Sequence, residues 1–196
     1  MKNNKYNKIL STFHFPLSTR RNGGFTLIET IVAIFILSLA MGALLTLAAN
    51  GFYSVRYARN QIVADNLMQE SLEFIRNNRD TAFRSGGDWN TWRAGLSSCF
   101  ESNGCIVDVY TTGAHFIACS TSCPYMSYYE NQGIYGYTYN YPFSGESYET
   151  SYVRTIKMTE SPYDSNQITV TSTMRWLNGG ASRTTAQSVV MTNWSQ

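Results

Sequence analysis

No proline and no charged side chain occurs in residues 30–55, a run of 26 residues. This run limits what the chain can fold into more than any other feature. As an α-helix it would span about 39 Å at about 1.5 Å per residue, enough to cross a bilayer. Beyond it the pattern changes without stopping. Val55, Ala58, Ile62, Leu67, Met68, Leu72 and Ile75 recur at threes and fours, and Arg56, Arg59, Asp65, Glu70, Glu73, Arg76 and Arg79 supply polar faces. That is the period of one helical face. Since no proline stands between residues 25 and 80, the expectation is a single long helix, apolar all round in its first half and one-sided in its second. The first half needs lipid or other helices around it. The second half needs a globular domain to pack on.

The formal charge of +2 conceals an asymmetry. Residues 1–24 carry Lys2, Lys5, Lys8, Arg20 and Arg21 and no acid, whereas the rest of the chain holds 10 basic and 13 acidic side chains. A basic flank ahead of an apolar helix is retained in the cytoplasm, which places the C-terminal domain outside. Without the flank, net charge gives nucleic acid nothing to bind. The apolar run also continues past the point where a secretory signal would end in a small-residue cleavage site. Cys99, Cys105, Cys119 and Cys123 all follow the apolar run. In an oxidising compartment four cysteines allow three pairings. Closeness along the chain favours Cys99–Cys105 with Cys119–Cys123, and the spacing suits a zinc knuckle poorly, so no metal is expected.

Gly86-Gly87 ends the helical pattern. Residues 105–111 read as a short strand and residues 124–152 as a tyrosine-rich loop. Residues 152–160, 167–177 and 184–194 are β-branched and partly alternating, and Asn178-Gly179-Gly180 between the last two is a hairpin turn signal. Three or four antiparallel strands with one face covered by the amphipathic half-helix make an α+β fold. The expected order is a cytoplasmic leader (1–24), an apolar helix (25–52), an amphipathic half-helix (53–82), a cysteine- and tyrosine-rich loop region (83–151) and antiparallel strands (152–196).

Chemistry is sparse. His14 and His115 are the only histidines, and His14 lies in the leader, so a nucleophile–histidine pair would rest on His115 alone. Asp88 and Glu101 near Trp89 and Trp92 form no pair that sequence can establish. No phosphate or dinucleotide glycine motif is present, and neither an enzyme nor a cofactor is expected. Among the tyrosines, Tyr128, Tyr129, Tyr137 and Tyr139 form a candidate binding surface for glycan, nucleic acid or a partner subunit. The favoured alternative packs the tyrosines across a small sheet with their hydroxyls in water. Few basic residues lie near them, which argues against nucleic acid.

The sequence Gly24-Phe25-Thr26-Leu27-Ile28-Glu29, behind a basic leader and ahead of an apolar helix, resembles the signature of type IV prepilins. That family includes the type IV pilins and the pseudopilins of type II secretion. The resemblance implies a pilin-like fold, with a long helix packed on a small C-terminal antiparallel sheet. It implies cleavage between Gly24 and Phe25 by a prepilin peptidase, which then N-methylates Phe25. It also implies that Glu29 neutralises the N-terminal amine of a neighbouring subunit once the helices are stacked away from water. The partners implied are the peptidase, other pilin or pseudopilin subunits, the inner-membrane assembly machinery, and lipid before assembly. The implied location is the bacterial inner membrane, then a cell-surface or periplasmic filament. The apolar helix lacks the proline of many major pilins, both candidate cysteine pairs precede the last strands, and the C-terminal strands resemble those of minor pilins and pseudopilins of the PilV or GspI type. A minor subunit is therefore expected.

Overall fold

The structure is a computed structural model that describes residues 23–111, 115–137 and 146–194. The leader expected at 1–24 lies outside these residues except for Gly23 and Gly24, and so do Tyr139 and Tyr141. The chain divides into two units, Met1–Leu47 and Ala48–Gln196. One helix, α1 (Leu27–Arg84), supplies residues to both.

In the first unit every described residue is exposed, including Phe35, Leu44, Leu45 and Leu47. The helix satisfies its own hydroxyls. Thr30, Ser38 and Thr46 donate to the carbonyls of Leu27, Ile34 and Gly42 at 2.8, 2.7 and 2.9 Å. Such back-bonding lets a hydroxyl sit in an apolar helix without seeking water.

The second unit is built on two sheets and the C-terminal part of α1. Strands β1 (Cys105–Val107), β2 (Phe116–Ala118), β6 (Val153–Glu160), β7 (Gln167–Asn178) and β8 (Ala181–Thr192) form a sheet in the order β2-β1-β6-β7-β8. Strands β3 (Ser127–Tyr129), β4 (Ile134–Gly136) and β5 (Ser147–Glu149) form a second, in the order β4-β3-β5. All pairings are antiparallel. Asn178 pairs with Ala181 across Gly179 and Gly180, whose φ values of 61° and 82° are those of a two-residue hairpin turn.

Period two explains which side of the large sheet is covered. On β6 and β7 the even-numbered Ile156, Met158, Ile168, Val170, Met174 and Trp176 are buried, and they pack with Leu67, Met68, Leu72 and Ile75 of α1. The fold is thus α+β, with the amphipathic half of a long helix packed on antiparallel sheet. The apolar face of α1 starts later than its spacing predicts, because Val55, Ala58 and Ile62 are exposed and burial begins at Ala64.

The end of α1 follows from its glycines. Gly86 has φ 81°, and Gly87 N–H and Gly86 N–H donate to the carbonyls of Ala82 and Phe83 at 2.9 and 3.1 Å. This paired closure stops a helix where only glycine adopts the left-handed turn at no cost. Asp88 then caps a short helix, α2 (Trp89–Ala94), accepting from the backbone of Asn90 and Thr91. The region expected as loop, apart from a short strand at 105–111, holds this helix, β1 at the start of that expected strand, and strands β2–β5. Those strands have three residues each, too few to show alternation, so two sheets form where three or four strands were expected.

Candidate functional site

The start of α1 is organised by Thr26. Its carbonyl accepts from Glu29 N–H at 3.1 Å and Thr30 N–H at 3.2 Å, and its hydroxyl accepts from Glu29 N–H at 3.3 Å. Thr26 is therefore an N-cap, and Glu29 sits three residues on, in the first turn. This is the spacing of a capping box, and the positive end of the helix dipole favours an acid there. Gly23 and Gly24 precede the helix, exposed and with no neighbouring atom within 4 Å of where a Cβ would stand. Phe25 is exposed as well. Among the described residues the Glu29 carboxylate has no hydrogen-bond or ion-pair partner. The arrangement is an accessible Gly24–Phe25 bond, a capped helix, one acid, and then an apolar surface. α1 is long and apolar enough to cross a membrane, which suggests membrane anchoring.

The globular unit treats its buried charge differently. Arg154 on β6 is 1% exposed. Its Nη1 donates to the Leu67 carbonyl at 2.8 Å and to Glu70 Oε2 at 3.1 Å, and its Nη2 donates to the Val107 carbonyl at 2.6 Å. One guanidinium thus joins α1, β1 and β6, with the Tyr137 ring 6.0 Å beneath it. Glu70 also accepts from the Tyr110 hydroxyl at 2.8 Å. Burial, reinforced by that bond, pushes the Tyr110 phenol up to about 12. Burial raises Asp108 above the usual carboxylate range, and its Oδ2 has no hydrogen-bond partner among the described residues. Sequence reading missed Arg154, although a parity signal was present: it shares the inward side of β6 with Ile156 and Met158.

The tyrosines separate into two groups. Tyr129 and Tyr137 are 4% and 1% exposed, so the candidate surface drawn from them is corrected: both belong to the interior, as the favoured packed reading of the tyrosines had it. Tyr128 is half-buried and lies opposite Tyr135 and Tyr148 across the small sheet. Its ring centroid stands 4.9 Å from that of Tyr135 and 5.6 Å from that of Tyr148. Tyr135 continues the row edge-on to Tyr152 at 5.7 Å. The cysteines are bonded Cys99–Cys105 and Cys119–Cys123. Among the described residues no cluster of three or more histidine, cysteine or acidic side chains is placed to hold a metal.

No curated protein and no solved structure matches the chain. A family model described as the prokaryotic N-terminal methylation motif matches residues 19–45, the stretch that contains the glycine pair, the Thr26 cap and Glu29. That match supports a type IV pilin-like structural subunit and implies processing by prepilin peptidase and assembly with other pilins. At its N-terminal end the chain carries the prokaryotic N-terminal methylation motif, which is characteristic of type IV pilins and pseudopilins.

Proposed function

We propose that the chain is a minor pilin or pseudopilin subunit, cut between Gly24 and Phe25, methylated on the new Phe25 amine and drawn from the inner membrane into a type IV pilus-like filament. Residues 1–24 are the leader in this reading, 25–52 the membrane and assembly helix, and the remainder the domain displayed outside. The observation that carries it is an apolar helical surface with one unpartnered acid at its capped start. Fully burying one large apolar side chain is worth about 1.5–3 kcal/mol, so the exposed Ile, Leu and Phe residues of 25–47 drive association once they leave lipid. Glu29 then takes a neighbour's N-terminal amine as its partner, since a buried acid is tolerated when paired. Glu29→Ala is expected to fold normally and to be absent from sheared filaments. Normal incorporation of that variant would contradict the neutralisation role.

A second reading has its own observation. The row Tyr148–Tyr128–Tyr135 offers adjacent rings to the apolar face of a sugar, which would make the subunit a filament-borne adhesin. Glycan binding by the full chain, lost in Tyr128→Ser, would favour it.

A further inference from the structure

The solvent side of the large sheet carries a groove of about 280 Å³. Its floor comes from three adjacent strands: Val153 and Thr155 of β6, Thr173 and Arg175 of β7, and Thr184 of β8. Register puts them side by side, with Thr155 opposite Thr173 and Arg175 opposite Thr184. Its wall comes from two loops, each closed by a disulfide. Asn103 lies within the Cys99–Cys105 loop, and Thr121 and Ser122 lie within the Cys119–Cys123 loop.

The wall is fixed to itself and to the floor. Asn103 Nδ2 donates to the Ser120 carbonyl at 2.6 Å, and Cys119 N–H donates to the Gly104 carbonyl at 3.0 Å, so each loop holds the other. Gly104, at φ 69°, approaches β6 so closely that a Cβ there would stand 2.4 Å from the Ile156 carbonyl oxygen. A site held this way loses little freedom when it is occupied.

The lining defines the ligand. Thr121, Ser122, Thr155, Thr173 and Thr184 each bring a hydroxyl that both donates and accepts, which suits a polyol. No aromatic ring and no carboxylate lines the groove. Arg175 is exposed and has no ion-pair partner among the described residues, and its planar fork matches a carboxylate. The volume falls just below the roughly 300–1,000 Å³ of sites that enclose a drug-sized ligand, which fits a short saccharide unit. One cation falls short of the several phosphate contacts from which nucleic-acid affinity is built.

We infer that this groove binds an acidic saccharide unit, with Arg175 taking its carboxylate and the threonine floor and disulfide-held wall taking its hydroxyls. The site lies wholly within Ala48–Gln196 and is independent of the tyrosine row. The test is calorimetric titration of the full chain in detergent micelles with trigalacturonate, neutral maltotriose and inorganic phosphate. Trigalacturonate is expected to bind at least tenfold more tightly than maltotriose. Arg175→Gln is expected to erase that preference, and Thr173→Val to weaken binding of the acidic probe several-fold. Because Arg175 is exposed, Arg175→Gln should keep the parent unfolding midpoint. An intact preference in Arg175→Gln would overturn the inference, and so would phosphate binding as tightly as trigalacturonate.

Discussion

Glu29 and Arg154 are both single charges set among apolar residues, and the chain deals with them in opposite ways. Arg154 is enclosed, and its guanidinium finds two backbone carbonyls and a carboxylate within the same unit. Glu29 has no partner among the described residues, and the apolar residues that follow it are exposed. Burying an unpaired charge is expensive, so a folded domain either pairs a charge or leaves it in water. Arg154 is paired with Glu70 inside the globular unit. Residues 25–47 present an exposed apolar surface and one acid, which the proposed assembly would cover. The same contrast appears in the hydroxyls. Those of the apolar helix turn back onto their own carbonyls, whereas Ser71 on α1, which also donates to the Met68 carbonyl at 2.7 Å, reaches across to Ser172 on β7 at 3.0 Å.

The largest test of this contrast is Arg154→Ala. Removing one member of a buried pair costs about 3–5 kcal/mol. Glu70 is partly exposed, which puts the expected loss near the lower end, about 3 kcal/mol, in denaturant unfolding of the full chain in micelles. Glu29→Ala in the same assay should leave the midpoint unchanged. A similar loss in both variants would break the distinction.

An intermediate effect concerns alkaline pH. Burial pushes the phenols of Tyr110 and Tyr152 up to about 12. Below pH 10 both are neutral in the folded and unfolded chain, and their contribution is complete. Between pH 10 and 12 the unfolded chain loses these protons first, so stability falls as pH rises. Unfolding midpoints measured across that window should drop, and the Tyr110→Phe/Tyr152→Phe pair should flatten the drop. An identical slope in the double variant would mean that these phenols are not held by the interior.

The smallest effect belongs to Thr26→Ala. Losing an N-cap costs about 1 kcal/mol, confined here to the first turn. Amide exchange at Glu29 and Thr30 should quicken, while amides of β6 and β7 keep their rates. Faster exchange throughout the sheet would show that the helix start and the globular unit are not energetically separate.

Much of this was legible in the sequence because the signals are long. The 26 uncharged residues and the absence of proline predict α1 to within a few residues of its observed span. Alternation and the paired glycines give β6, β7, β8 and their turn. The Gly24–Glu29 signature marks the candidate processing site. What sequence did not give depends on short elements and on long-range encounters. The three-residue strands leave no period to read. The exposure of Val55 and Ile62 depends on where the sheet ends beneath the helix. The Arg175 groove needs two disulfide loops and three strands to meet, and no local pattern records that meeting. Tyr129 and Tyr137 stood as a candidate surface beside the favoured packed reading because tyrosine is at home in water and in cores alike, and only the folded chain, which buries both, sorts them.

The central claim is that residues 19–45 are a working processing and assembly signal. It is tested most directly by intact-mass and N-terminal-peptide spectrometry of the chain isolated from its native membranes. The account predicts a mature protein beginning at N-methylated Phe25. A chain that retains residues 1–24 in cells with an active prepilin peptidase would contradict it.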